Sequence, residues 1–239
     1  MIGKCSSTRQ HRGGDPTPPQ TDGSFRLGLI LAFAALWGML AIAPVHRADW
    51  ALENLLVVAF VAGLVGTRHR LAFSQAAELQ IFAFLCLHAV GAHYTYSLVP
   101  YDRWSEAMTG IAIGDRLGLD RNHYDRLVHL AYGLLLTAPT REALSQAARV
   151  AGVWRHVFAV MALTSLSAVY EIVEWAAAMM FGPDLGLAYV GAQGDAWDAQ
   201  KDMALATFGA LAATAAAVLC ERRRAGAPPS IRAGNRRSR

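Results

Sequence analysis

Three aspartates, Asp195, Asp198 and Asp202, lie close together in the stretch GAQGDAWDAQKDM at positions 191–203. Their spacing of three and then four residues places them on one stripe of a helix that begins near Asp195. Carboxylate oxygens are the ligands that Mg²⁺ and Mn²⁺ prefer in proteins. We therefore predict that the three aspartates form a divalent metal site.

Two further pairs of ionisable residues have spacings that suit acid–base chemistry. Asp125 and His129 are four residues apart, so that the carboxylate can orient the imidazole and raise its basicity. Glu171 and Glu174 are three apart and also share a helix face. We expect Asp125, His129 and Glu174 to be the catalytic groups. The histidine keeps Zn²⁺ open as an alternative to Mg²⁺ or Mn²⁺.

Polar and aromatic residues near these groups are predicted to bind a polar ligand. Arginine forms strong paired hydrogen bonds with phosphate, and tyrosine, histidine and amide side chains can hydrogen-bond to phosphate or carboxylate. The predicted binding residues are His93, Tyr94, Arg121, Asn122, His123, Arg126, Glu171 and Gln193. His88 lies in an apolar stretch, and we assign it a structural role only.

The composition indicates that these residues belong to a membrane protein. Of the 239 residues, 54% are hydrophobic and only 17% are charged, whereas soluble domains have about a quarter of their residues charged. An all-α polytopic membrane protein is therefore predicted, and its first partner is the lipid bilayer.

Six apolar segments are long enough to cross, or nearly cross, a hydrocarbon core of about 30 Å. We predict a bundle of six transmembrane helices within residues 27–220. The predicted segments are 27–44, 51–66, 75–98, 124–138, 154–181 and 199–220.

The two ends of the chain are basic and rich in glycine, proline and polar residues. We predict disordered tails at residues 1–26 and 221–239. Alternate loops also carry the larger share of arginines, which by the positive-inside rule places both termini in the cytoplasm. These tails are interpreted as topology signals rather than as a nucleic-acid interface, and a bacterial inner membrane is the simplest location.

With this topology, four helices carry ionisable side chains at a similar depth near the outer side of the membrane. Ionisable groups at that depth are costly, so they normally face the bundle interior and mark functional sites. Carboxylates outnumber cationic groups in this set. A divalent cation, a proton shared between carboxylates, or an inward-facing Arg121 or Lys201 would each compensate the excess negative charge.

The polar motifs resemble those of a known family. HYTYSLVPYDRW, RNHYDRLVHLAYGLLL, YEIVEW and YVGAQGDAWDAQKDMALATFGA are similar to the motifs of the YjdF-like family of bacterial inner-membrane proteins, over about residues 75–211. The resemblance implies a multi-helix inner-membrane protein and assigns no chemistry. A more distant similarity links the order of Asp125, His129, the glutamate pair and Asp198–Asp202 to VanZ-like membrane proteins, which implies a connection with the cell envelope.

Three classes of function fit the pattern. The first is a protein that binds or processes a lipid-linked or phosphorylated envelope compound at the outer leaflet. The second is a proton- or ion-coupled transporter that uses Glu171, Glu174 and His129 as a relay. The third is a non-catalytic membrane factor whose polar cluster only holds helices together.

Overall fold

The computed structural model describes residues 22–181 and 192–226, and every regular element in these residues is an α-helix. Six of the helices are long and two are short. In chain order they are α1 (Gly23–Leu40), α2 (Arg47–Thr67), α3 (Gln75–His93), α4 (Tyr101–Thr109), α5 (Ile113–Leu117), α6 (Tyr124–Ala147), α7 (Val153–Phe181) and α8 (Asp198–Gly226). The prediction of an all-α fold is confirmed.

Five of the long helices, α1, α2, α3, α7 and α8, are apolar and long enough to cross a membrane. Large hydrophobic side chains on these helices are exposed, among them Leu55, Val58 and Ile172, as expected for helices that contact lipid. The chain is therefore a polytopic α-helical membrane protein. The sixth long helix, α6, has 24 residues but a more polar sequence.

The helix bounds differ from the predicted segments mainly at the polar ends. α2 has 21 residues and α6 has 24, because each helix continues through polar residues that a hydropathy pattern assigns to loops. The predicted tails lie mostly outside the described residues. The described helices begin at Gly23 and end at Gly226.

The closest helix pair is α6 with α8, and two glycines make it possible. A Cβ atom added at Gly133 would overlap the backbone of Ala206 and Ala210, and one added at Gly209 would lie 2.5 Å from the Leu130 carbonyl oxygen. Small residues allow this kind of approach in membrane helices. The two helices that carry the aspartate and histidine motifs are thus held backbone to backbone.

The remaining helices surround this pair. α7 packs on both α6 and α8, α3 packs on α6, and α1 and α2 each pack on α3. The central apolar cluster contains Leu85, Leu136, Leu163 and Ala210. α2 lies at the edge of the bundle, because its extensive contact within the described residues is with α3.

The connection between α3 and α6 closes one end of the bundle and contains α4 and α5. Gly110 and Gly118 end these short helices in the left-handed conformation, which glycine adopts without steric cost. Asp102 joins the helices by accepting a hydrogen bond from the Gly114 backbone N–H at 2.7 Å. The α1–α2 connection and residues 192–197, which precede α8, lie at the same end, which we call the site end.

Candidate functional site

At the site end, two arginines at or just before the start of α6 meet two aspartates at or just before the start of α8. Arg121 Nη1 lies 2.9 Å from Asp198 Oδ1, and Arg126 Nη2 lies 3.3 Å from the same oxygen. Arg126 also pairs with Asp195. We call these four residues the arginine layer. Their charges balance each other, so the arginines have carboxylate partners without any ligand.

Asp195 belongs to the loop before α8 and has two further partners. Lys201 Nζ lies 2.5 Å from Asp195 Oδ2, and the Trp197 backbone N–H donates to Oδ1 at 3.1 Å. These hydrogen bonds, with that from Arg126, lower the pKa of Asp195 to about 2. Asp195 is therefore ionised, and both of its carboxylate oxygens already accept hydrogen bonds that hold the loop before α8 in place.

The amide and histidine side chains at the site end form hydrogen bonds within and between the loops that precede α6 and α8. Gln193 Oε1 accepts from the Asn122 backbone N–H at 3.1 Å, and its Nε2 donates to the Asn122 carbonyl at 3.0 Å. Asn122 Oδ1 in turn accepts from the Tyr124 N–H at the start of α6. His123 Nε2 lies 2.9 Å from Arg126 Nη1. Asn122, His123 and Gln193 are thus engaged in loop contacts.

One helical turn deeper, a second set of ionisable side chains faces the interior of the bundle. It comprises Asp125 and His129 from α6, Glu171 and Glu174 from α7, and Asp202 from α8, and we call it the carboxylate layer. His129 Nε2 lies 3.6 Å from Asp125 Oδ1 and 3.5 Å from Glu171 Oε1. Asp202 is only 2% exposed. The carboxylate layer thus combines side chains from three helices, and its members are spread along the sequence from Asp125 to Asp202.

The carboxylate layer contains acceptor atoms that have no hydrogen-bond partner. Asp202 Oδ1 and Glu171 Oε1 are both buried and unpartnered, although a buried carboxylate oxygen without a partner is destabilising. Asp125, His129 and Asp202 each offer one ligand atom, and these atoms lie within 4.8 Å of one another. A cation placed among them would have oxygen and nitrogen ligands from two tightly packed helices.

Glu53 of α2 extends the carboxylate layer, and the sequence interpretation missed it. The Tyr170 hydroxyl donates to Glu53 Oε2 at 3.2 Å, and the Tyr170 ring lies 5.8 Å from that of His129 between centroids. Glu53 is 2% exposed. An ionisable residue inside an apolar helix is a functional-site signal by itself, and this signal was present in the segment ALENLLVV.

His88 also lies beside this layer. Its Nδ1 lies 2.6 Å from the Tyr96 hydroxyl, and its Nε2 lies 3.3 Å from the Glu53 carbonyl oxygen. His88 therefore connects α3 to α2 and orients Tyr96. These contacts agree with a structural role, while placing the residue next to the candidate site.

Two predicted binding residues lie away from the carboxylate layer. His93 Nδ1 lies 2.7 Å from the Leu40 carbonyl oxygen, so that it joins the end of α3 to the end of α1. Tyr94 packs between His93 and Trp104, with ring centroids 4.5 Å and 5.9 Å away. The tyrosines nearest the layer are instead Tyr96 and Tyr170.

A cavity of about 390 Å³ lies beside the carboxylate layer. Asp125 and His129 form part of its lining, together with side chains from α2, α3, α6 and α7. Its size falls within the range of small-molecule sites in proteins. The candidate ionisable groups can therefore be reached from a space large enough for part of a ligand.

Comparisons with known proteins agree with this membrane architecture. Residues 25–223 match the family described as Predicted membrane protein (DUF2238). The Inner membrane protein YjdF of Escherichia coli (strain K12) is 35% identical over 166 residues, which are 69% of this chain and 75% of that protein. No solved structure matches the chain. The resemblance seen in the motifs is confirmed, and the chain belongs to the DUF2238 family of multi-pass inner-membrane proteins.

Proposed function

We propose that the carboxylate layer holds a divalent cation and, through it, binds or processes a lipid-linked or phosphorylated compound of the cell envelope. The observation that carries this proposal is the convergence of Asp125, His129 and Asp202, with one ligand atom each within 4.8 Å of one another. Two unpartnered carboxylate oxygens, on Asp202 and Glu171, support it. A cation would satisfy the Asp202 oxygen, attract the nearby Glu171 oxygen by its charge, and reduce the repulsion between the carboxylates.

The proposed metal site differs from the one expected from spacing alone. Asp195 and Asp198 carry the right chemistry, but their oxygens are paired with Arg121, Arg126 and Lys201. Asp202 lies one turn further along α8 and has no such partner among the described residues. We therefore place the cation on Asp202, with Asp125 and His129 as its other protein ligands.

The ligand atoms of Asp125, His129 and Asp202 favour particular cations. Two carboxylates and one imidazole suit Mn²⁺ or Mg²⁺, and the imidazole also suits Zn²⁺. A bound cation leaves coordination positions for a phosphate oxygen of the ligand. Glu171 Oε1, which lies 3.5 Å from His129 Nε2, would support the site through its negative charge, and Glu174 would exchange a proton with the ligand.

The number of membrane spans and the location of the two termini are also part of this proposal. We infer that α6 is a sixth span, because 24 residues rise about 36 Å at 1.5 Å per residue and its ionisable side chains face other helices. Both termini are then cytoplasmic, in agreement with the arginine-rich ends. Reporter fusions after residues 44, 120, 149 and 239 test this, since an outward-facing reporter is expected at the first two positions and an inward-facing one at the last two.

An ion-coupled carrier is the competing function. It would use Glu171 as a relay and show flux across liposomes that depends on a pH or ion gradient. Gradient-dependent uptake of a phosphorylated compound, lost in Glu171→Gln, would favour the carrier. Binding of the compound without flux favours the proposal above.

Ligand binding can be measured directly by native mass spectrometry of the purified protein. Phosphatidylglycerol is added with and without Mn²⁺, for the wild type, Asp202→Asn and the exposed control Asp120→Asn. We expect Mn²⁺ to increase lipid retention in the wild type and the control, but not in Asp202→Asn. Retention that is independent of Mn²⁺ and equal in all three proteins would contradict the proposal.

A further inference from the structure

Residues of both α2 and α7 line the cavity beside the carboxylate layer. α2 packs on α3, whereas α7 packs on α6 and α8, and α2 and α7 share no extensive contact among the described residues. Phe60 of α2 and Val169 of α7 both line the cavity and are also exposed. The cavity therefore has a side opening within the apolar part of the helices.

The walls near this opening are apolar, and the inner end is polar. Leu56 and Ala59 line the α2 side, and Leu166 lines the α7 side. At the inner end are Asp125 and His129. An apolar channel that opens into hydrocarbon and ends at ionisable groups has the same order of polarity as a membrane lipid with its chain and headgroup.

Among the hydroxyl groups on the cavity wall, the one on Ser167 is without a hydrogen-bond partner, which indicates that the occupant carries a polar atom. Ser167 lines the cavity and is 3% exposed, and its Oγ has no hydrogen-bond partner. It lies one turn of α7 below Glu171, between the apolar opening and the carboxylate layer. An oxygen in the linkage of a lipid, at the junction of chain and headgroup, would satisfy this hydroxyl.

We propose that the cavity takes one hydrocarbon chain of a membrane lipid, which enters sideways between α2 and α7 and brings the lipid phosphate to the carboxylate layer. This inference rests on the proposed function and names its substrate class, a phosphate-bearing lipid. A chain filling the cavity supplies the van der Waals contacts that an empty apolar space forfeits. The ligand thus reaches the site from the bilayer and not from the aqueous phase.

The test uses phosphatidylglycerol with a diazirine in the middle of one acyl chain, mixed into liposomes that contain the full chain. After illumination, peptide mapping should find adducts on the cavity-lining residues of α2 and α7. Ala59→Trp fills the cavity and should reduce these adducts at least fivefold. Its neighbour Val58, exposed on the same helix but absent from the lining, gives the control Val58→Trp, which should leave them unchanged.

A second blocking variant on the opposite wall guards against a local folding defect. Val169→Trp should reduce the adducts as Ala59→Trp does, whereas Ile172→Trp, on the outer face of α7, should not. Ser167→Ala should lower them about fivefold, the equivalent of one hydrogen bond. Adducts that persist in both blocking variants would overturn lateral entry.

Metal binding separates this inference from the function on which it rests. Ala59→Trp should retain Mn²⁺ while losing chain adducts, and Asp202→Asn should lose Mn²⁺ while keeping chain adducts at the level that the wild type shows without Mn²⁺. If the wild type binds no Mn²⁺ yet Ala59→Trp still removes the adducts, the metal proposal fails and the chain site stands. If Mn²⁺ binds but neither blocking variant changes the adducts, the chain site fails and the metal proposal stands.

Discussion

His129 of α6 faces Glu171 of α7, with 3.5 Å between Nε2 and Oε1. Glu171 Oε1 is buried and makes no hydrogen bond, so that the two side chains are adjacent without satisfying each other. A cation bound to His129 would change this relationship, because its charge would attract the unpartnered glutamate oxygen. The pair is therefore a sensitive place to test how the carboxylate layer works.

Replacing Glu171 by glutamine keeps the shape of the side chain but removes one negative charge. We expect Glu171→Gln to weaken Mn²⁺ binding about tenfold, the usual effect of losing a residue that supports a metal ligand. The exposed control Glu106→Gln should bind Mn²⁺ like the wild type. Titration calorimetry on the purified proteins measures both. Equal affinities in all three proteins would exclude Glu171 from the cation's surroundings.

The arginine layer is expected to stabilise the site end rather than to hold ligand. Arg126→Gln leaves Asp198 with Arg121 and Asp195 with Lys201 as partners, and should lower the free energy of unfolding by about 2 kcal/mol, the usual contribution of hydrogen bonds to charged groups. Arg116→Gln, an exposed change in the connection between α3 and α6, should have little effect on the free energy of unfolding. Unfolding in mixed detergent micelles measures the difference. Unchanged stability together with lost phosphatidylglycerol binding would instead assign Arg126 to the ligand.

The loop before α8 should respond to acid through Asp195. Its folded-state pKa is lowered to about 2, whereas an unfolded aspartate has a pKa of about 3.9. The stabilisation is therefore complete above pH 4 and is lost as the pH falls from about 4 to 2. Hydrogen exchange of residues 192–201, corrected for intrinsic rates, should accelerate over this window in the wild type and stay level in Asp195→Asn. The same acceleration in both proteins would show that another group controls the loop.

The contact between α6 and α8 should not tolerate a methyl group. In Gly209→Ala the new Cβ would lie 2.5 Å from the Leu130 carbonyl oxygen, so the helices must separate, at a cost of about 1–3 kcal/mol. Gly63→Ala is the matched control, because nothing lies within 4 Å of its added Cβ. Thermal unfolding should give a lower midpoint for Gly209→Ala alone. Equal midpoints would mean that the two helices are not held at glycine contact.

Much of this arrangement could be predicted from the sequence because membrane helices obey simple rules. Apolar runs predicted an all-α membrane protein, and the spacing of Asp125, His129 and Asp202 predicted helix faces that the structure brings together. The small residues that follow Asp202 on its stripe, Ala206 and Gly209, pack against α6 as their size implies. These inferences needed only periodicity and the cost of placing charge in hydrocarbon.

The features that could not be predicted are contacts between side chains that lie far apart in the sequence. By spacing alone, Asp195, Asp198 and Asp202 are equivalent, whereas Arg121 and Arg126 pair with the first two and leave Asp202 Oδ1 without a hydrogen-bond partner. Tyr94 is the tyrosine predicted to bind a ligand, but the one whose hydroxyl contacts His88 is Tyr96. The contribution of Glu53 depends on how α2 is placed beside α7, which local periodicity does not report.

Binding of Mn²⁺ to the purified protein shows whether the carboxylate layer is a metal site. Electron paramagnetic resonance of free Mn²⁺ during titration counts the bound ions in the wild type, Asp202→Asn, His129→Ala and the exposed control Asp120→Asn. We expect one tightly bound Mn²⁺ in the wild type and the control, and at least tenfold weaker binding in the other two. Equal Mn²⁺ binding in all four proteins, or none in any folded protein, would contradict a metal site formed by Asp125, His129 and Asp202.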